Sequence, residues 1–88
     1  MKNQMPKINI KLFAHLRDFM PEKGIKGSAP YECPPDNTVN SVLRKLNVPL
    51  EHCHLVLLNG IFILPENRET KNMVEGDTLA VWPPVAGG

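Results

Sequence analysis

The sequence lacks a long apolar run, a marked excess of charge and a set of cysteines. No run approaches the roughly 18 apolar residues that a membrane span needs. Ten Lys and Arg residues against nine Asp and Glu residues give a net charge of +1, whereas a nucleic-acid binder is usually far more basic. Two cysteines, Cys33 and Cys53, do not make a disulfide framework. We therefore expect no membrane insertion, no nucleic-acid partner and no disulfide-stabilised miniprotein.

The composition is that of one small folded domain. The 88 residues are 42% hydrophobic and 22% charged, an ordinary globular mixture that argues against disorder. The first six residues lack the apolar stretch of a signal peptide, so we expect a cytoplasmic location. These facts leave a small binding, carrier or subunit domain.

The first half of the chain predicts two strands. Ile8, Ile10 and Leu12 alternate with polar residues, which is the period of a half-buried strand. Phe13 breaks this alternation, and we expect it to cover one end of the core. Residues 28–33 are the candidate second strand, paired back on the first.

One helix is predicted after these strands. Thr38 is a suitable N-cap residue, and Pro49 is expected to end the helix. The helix would be about ten residues long and must depend on packing for its stability. Its apolar stripe consists of Val39, Val42, Leu43 and Leu46.

The second half predicts three more strands. The apolar run 55–58 leads into Asn59-Gly60, a strong hairpin-turn signal, and 61–64 is the return strand. Residues 78–82 form the last strand, which two prolines stop. One helix on one face of a mixed sheet of four to five strands buries these faces economically. The expected fold is therefore α+β, the ubiquitin-like β-grasp, with the first and last strands side by side at the sheet centre.

The tail after the last strand contains the candidate reactive group, the carboxylate of Gly88. We divide the chain into a β-grasp domain, 1–82, and a flexible tail, 83–88, that ends in two glycines. Six extended residues reach about 20 Å, and the prolines favour a stiff, extended spacer. Glycine has no Cβ, so its backbone enters a narrow channel. A terminal carboxylate is a poor electrophile, so a partner must activate it, most simply as an acyl-adenylate.

Three segments resemble one known family. The ending 76–88, Gly-Asp-Thr-Leu-Ala-Val-Trp-Pro-Pro-Val-Ala-Gly-Gly, resembles the C-terminus of the small subunit of molybdopterin synthase. Residues 12–17 are similar to that family's first strand and turn, and Thr38-Val39 to the start of its helix. The thiamine-pathway sulfur carrier belongs to the same ubiquitin-like group and shares the two glycines.

The resemblance implies a sulfur carrier that is not itself an enzyme. An E1-like enzyme would consume ATP to adenylate Gly88, and sulfur would convert that carboxylate to a thiocarboxylate. The chain would bind no cofactor and no metal of its own. Its tail would enter the larger synthase subunit and donate sulfur for molybdenum cofactor biosynthesis. The tail residues concerned are Pro83, Pro84, Val85, Ala86 and Gly87, which is the slim neighbour of Gly88.

Two features depart from the family and leave other functions open. The Pro- and Gly-rich segment 20–36 differs in length and has no assigned role, and Asn59-Gly60 is not diagnostic of the molybdopterin branch. The sulfur could instead serve thiamine or a tungsten cofactor. The same glycine could form isopeptide bonds, as in a ubiquitin-like modifier. A non-covalent binding module would ignore the tail altogether.

A docking face is predicted from strand alternation. If Leu79 and Val81 point to the helix, Ala80 and Trp82 point out of the opposite face. An outward Trp beside aliphatic residues suits the centre of an interface; alternatively, Trp82 covers an edge of the core. The same face must also carry one of two pairs, either Leu55 and Leu57 or Val56 and Leu58.

Other polar clusters have simpler interpretations. The triplet His52-Cys53-His54 supplies too few ligands for a closed zinc site, and no pocket or base is evident for Cys–His catalysis. We interpret the triplet as a loop with Cys53 as a small, partly buried side chain. His15 and Arg17 are read as solvated turn residues, and no role is assigned to Cys33.

Overall fold

The computed structural model describes residues 5–21, 27–34 and 37–84. Five strands form one mixed sheet, and an α-helix lies against one face of it. Three short 3₁₀ helices, Ala14–Phe19, Leu50–His52 and Pro65–Asn67, connect these elements. The strands are β1 (Lys7–Leu12), β2 (Ser28–Glu32), β3 (Leu55–Leu58), β4 (Ile61–Phe62) and β5 (Thr78–Trp82), and the helix is α1 (Val39–Lys45).

The strand order is β2-β1-β5-β3-β4, with β1 and β5 parallel and the other pairs antiparallel. This confirms the predicted β-grasp fold and the adjacent first and last strands. Leu12 of β1 and Val56 of β3 both pair with Val81 of β5. The last strand is therefore held on both sides along its length.

The core lies between α1 and one face of the sheet. The period-two alternation of β1 places Ile8, Ile10 and Leu12 on this face, each at most 2% exposed. The helix contributes Val39, Val42 and Leu43 of the predicted stripe, all fully buried. Leu46, the fourth predicted member, is the C-cap residue outside α1 and is only partly buried against the core. Burial of these side chains is the main stabilising contribution to the sheet–helix packing.

The start of α1 follows the prediction. The Thr38 hydroxyl accepts a hydrogen bond from the Ser41 N–H at 3.2 Å, and the Ser41 hydroxyl accepts one from the Thr38 N–H at 3.1 Å. This reciprocal capping box satisfies two N–H groups that the first turn leaves free.

The end of α1 comes earlier than predicted. The helix stops at Lys45, and Asn47 adopts a left-handed conformation with φ of 66°. The Val48 N–H then donates to the Leu43 carbonyl at 2.9 Å, the pattern of a Schellman cap. Asn tolerates this backbone conformation, so the helix is closed before Pro49 can end it.

The predicted hairpin is present, but its return strand is short. Asn59 and Gly60 have φ values of 54° and 83°, which a tight two-residue turn requires. Only Ile61–Phe62 forms β4 rather than the predicted 61–64. Pro65 has no N–H to continue a strand and instead begins a 3₁₀ helix.

Candidate functional site

The candidate site is the end of β5, where the chain leaves the sheet. The Val81 carbonyl accepts a hydrogen bond from the Phe13 N–H at 3.1 Å, and the Trp82 carbonyl accepts one from the His54 N–H at 2.9 Å. Pro83 is buried and Pro84 is exposed. The backbone is thus held by hydrogen bonds on both sides up to Trp82, which, with Pro83, we call the root of the tail. The remaining tail residues, Val85, Ala86, Gly87 and Gly88, lie outside the described residues.

Phe13 and Trp82 form an aromatic stack beside this exit. Their ring centroids are 4.1 Å apart and the rings are parallel within 2°. The expectation that Phe13 covers one end of the core was wrong, since it is not part of the core cluster. Leu12 points inward, so the next residue points outward, and the parallel register of Leu12 with Val81 places Phe13 beside Trp82. The stack stiffens the root of the tail.

The sheet surface opposite α1, which we call the outer face, is apolar near this stack. Leu55 pairs with Trp82 and Leu57 with Ala80, and directly paired antiparallel residues share a face. This register decides between the two pairs that the sequence left open. Ala80 is only 8% exposed, whereas Trp82 is half-buried. Trp82 therefore offers more contact area than Ala80. The outer face comprises Leu55, Leu57, Phe62, Ala80 and Trp82.

The two cysteines are free and buried. Burial raises the pKa of the Cys33 thiol, and the nearby carboxylates of Asp77 and Glu75 raise it further. Burial also raises the pKa of the Cys53 thiol, although the Arg68 guanidinium opposes the shift. Because the thiolate is the nucleophile, both thiols are poor nucleophiles at neutral pH. The interpretation of Cys53 as a small buried side chain agrees with its 7% exposure.

The structure brings together two histidines that sequence reasoning treated separately. His15 Nε2 and His52 Nδ1 form a hydrogen-bond contact of 3.3 Å, in which the tautomers decide which ring donates. The rings lie edge to face with their centroids 5.2 Å apart. Cys53 turns into the core, so the triplet 52–54 does not act as one cluster. Among residues 5–21, 27–34 and 37–84, no group of three or more His, Cys, Asp or Glu side chains could hold a metal.

Sequence reasoning also missed Arg68, which is only 6% exposed. Its Nε donates to the Ile63 carbonyl at 2.9 Å, and its Nη1 donates to the Cys53 carbonyl at 3.0 Å. Its Nη2 is buried with no hydrogen-bond partner in the part of the chain that the structure describes. Burial lowers the pKa of this guanidinium. Arg68 thereby ties the segment after β4 to the segment before β3.

The fold and the exit of the last strand define a ubiquitin-like β-grasp domain. The chain belongs to the Mut7-C ubiquitin family, whose model matches residues 5–87. The resemblance to ubiquitin-like sulfur-carrier proteins is confirmed at the level of family and fold. No helix within the described ranges has the length and apolar character to cross a bilayer.

Solved structures with the same fold include a small archaeal modifier protein and a molybdopterin-converting factor complex. The HVO 2177 protein of Haloferax volcanii is 25% identical with a TM-score of 0.74, over 96% of this chain and 88% of that one. Small archaeal modifier protein 1 of the same organism is 25% identical with a TM-score of 0.64, over 91% and 99%. A chain in the complex of molybdopterin-converting factor subunits 1 and 2 from Helicobacter pylori is 19% identical with a TM-score of 0.57, over 93% and 99%. No curated protein matches the chain.

Proposed function

We propose that this chain is a sulfur carrier and, more specifically, the small subunit of a molybdopterin synthase. The observation that carries this proposal is the last strand, which is clamped on both sides up to Trp82 and continues directly into Pro-Pro-Val-Ala-Gly-Gly. Such a strand presents residues 83–88 to a partner from a fixed origin. The family membership and the shared fold of the molybdopterin-converting factor complex support the same interpretation.

The proposed chemistry takes place on the carboxyl group of Gly88. This carboxylate attacks the α-phosphorus of ATP in the E1-like partner, and pyrophosphate leaves. Hydrosulfide (HS⁻) from a sulfur source then attacks the acyl carbon of the adenylate and AMP leaves. The resulting thioacid loses its proton, and a thiocarboxylate remains. We assign these catalytic groups to the partner, since the buried Cys33 and Cys53 have raised pKa values and are weak nucleophiles. No bound cofactor is needed on this chain.

The native mass of the protein tests the carrier function. The chain purified from the cytoplasm of its own organism is measured intact, which identifies both its terminal residue and the atoms on it. We expect a fraction in which one oxygen is replaced by sulfur, and fragmentation should place that sulfur on Gly88. Because thiocarboxylates hydrolyse, the measurement is repeated after incubation with the adenylating enzyme, ATP and a sulfur source. Two measurements without sulfur would contradict the proposal.

We further propose that the outer face docks the larger subunit while the tail enters it. Trp82 is the only tryptophan and lies between Leu55 and Phe13 at the root of the tail. Aromatic anchors at an interface centre often contribute about 2 kcal/mol or more. Trp82→Ala is therefore expected to weaken binding of the larger synthase subunit at least tenfold, measured by titration calorimetry with a folded variant.

The matched control is Ile61→Ala. Ile61 is also a large apolar side chain and is 68% exposed, but it pairs with Leu58, whose side chain belongs to the core face. Its removal should leave the affinity unchanged. An equal loss in both variants would indicate a general effect on the sheet rather than docking through the outer face.

A second candidate function is protein modification. The specific observation in its favour is the 25% identity to small archaeal modifier protein 1 over 91% of this chain. The same adenylated glycine would then be attacked by a lysine amine, which releases AMP and leaves an isopeptide bond. Covalent adducts that survive reducing, denaturing gels would identify this activity. A carrier alone gives the sulfur-bearing mass and no such adducts.

A further inference from the structure

The histidine pair occupies a defined position around the exit of β5. His15 lies in the 3₁₀ helix Ala14–Phe19, which follows β1, and His52 ends the 3₁₀ helix Leu50–His52, which precedes β3. Since β1 is parallel to β5 and β3 is antiparallel to it, both helices stand at the end of the sheet where β5 leaves. The contact between the rings therefore joins the two neighbours of the last strand across its end.

The spacing of the two ring nitrogens matches a chelating pair. His15 Nε2 and His52 Nδ1 are 3.3 Å apart. Zinc–nitrogen bonds of about 2.0–2.1 Å in a tetrahedral site place two ligand nitrogens about 3.3–3.4 Å apart. The ring centroids are 5.2 Å apart, closer than two imidazoles aimed head-on along one line would be. The rings are thus bent relative to the line between the nitrogens, and a metal ion can take this position by replacing the proton of the N–H···N contact.

Exposure and chemistry also suit a metal ion. Both side chains are exposed, so an ion reaches them without opening the core. Neutral imidazole is a preferred ligand of zinc, copper and nickel ions. The backbone of both histidines is held in 3₁₀ helices, which limits the ordering that binding would require.

We propose that His15 and His52 form a two-histidine site for a divalent transition-metal ion such as Zn²⁺. Water or a donor atom of another molecule completes the coordination. The bound ion links the 3₁₀ helix after β1 to the 3₁₀ helix before β3. It therefore crosslinks the two neighbours of β5 at the end of the sheet where the tail begins. This site does not depend on the proposed sulfur chemistry, because its two protein ligands lie within the described domain.

The experiment titrates Zn²⁺ into the untagged chain and follows heat and the histidine ring resonances. We expect one ion per chain, with shifts at the rings of His15 and His52. Mutation of a residue that only hydrogen-bonds to a metal ligand already lowers metal affinity about 10–100-fold. Loss of a ligand itself, in His15→Gln or His52→Gln, should therefore weaken Zn²⁺ binding at least tenfold. Zn²⁺ should also raise the melting temperature of the wild type, because the ion binds the folded state.

The third histidine provides the control. His54 is exposed and only two residues from His52, and its backbone N–H donates to the Trp82 carbonyl. His54→Gln should keep the wild-type affinity. Equal affinity in the wild type and His52→Gln, or an equal loss in His54→Gln, would overturn the proposal. The melting temperature of each variant without zinc shows that the fold is retained, since the replaced side chains are exposed.

Discussion

Removal of Gly88 is expected to leave the domain folded and to abolish its acquisition of sulfur. The core, the sheet and the aromatic stack are all built from residues 5–84. The shortened chain still ends in a carboxylate on Gly87. That group stops one residue, about 3.3–3.6 Å, short of the position at which the proposed adenylation takes place. The measurement is the intact mass after incubation with the adenylating enzyme, ATP and a sulfur source.

A second variant keeps the length of the tail and changes only its sequence. It shows whether the loss of sulfur in the Gly88 deletion comes from the shorter tail. Ala86→Gly changes the tail without shortening it, so this variant should acquire sulfur as the wild type does. Circular dichroism of both variants checks that the fold is unchanged. Sulfur on the new terminus of the Gly88 deletion would show that the assignment of the acceptor to Gly88 is wrong.

Replacement of Arg68 by Ala is expected to lower the free energy of unfolding by about 2–4 kcal/mol. Its two hydrogen bonds contribute about 1.5–3 kcal/mol each, and removal of the buried guanidinium with its unpartnered Nη2 offsets part of that loss. The change removes the donors to the Ile63 and Cys53 carbonyls. It also removes a buried side chain that lies 5.7 Å from the Phe62 ring. Urea denaturation followed by circular dichroism measures the loss.

The matched control is Arg44, an arginine that forms a salt bridge on the surface. Arg44 forms an ion pair with Glu69, and both side chains are 51% exposed. Exposed ion pairs contribute little, so Arg44→Ala should shift the urea midpoint far less than Arg68→Ala. Hydrogen bonds from Asn40 and Arg44 lower the pKa of the Glu69 carboxyl. Its small stabilising contribution is therefore present at neutral pH and is lost as the pH falls through that lowered pKa. A larger loss for Arg44→Ala would contradict the structural role assigned to Arg68.

Local patterns in the sequence predict much of this fold. The alternation in β1, the capping residue Thr38 and the pair Asn59-Gly60 each specify a structure within a few residues of chain, and each prediction is confirmed. The early end of α1 depends on Asn47 taking a left-handed conformation, which competes with Pro49 as a stop signal. In the structure the left-handed Asn47 and the hydrogen bond from the Val48 N–H to the Leu43 carbonyl end the helix first.

The features that sequence reasoning missed depend on contacts between distant segments. Phe13 meets Trp82, and His15 meets His52, only because β1 and β3 flank β5 in a particular register. Arg68 lies in a polar stretch whose composition suggests exposure, yet the nearby Ile63 carbonyl and the more distant Cys53 carbonyl hold it inside. A hydrophobic pattern in the sequence indicates which face of a single helix or strand is buried. These contacts also depend on how several strands are aligned with one another, which the pattern does not specify.

The parallel pairing of β1 with β5 has a consequence for the order of synthesis. Residues 7–12 leave the ribosome early, but their neighbour at 78–82 is made some seventy positions later. Until then β1 has only β2 to pair with, and one edge of it stays open. The sheet closes when the segment immediately before the tail is released. The central pairings of the sheet thus form only after nearly the whole domain has been made, so a partner that recognises the paired β5 meets a completed sheet.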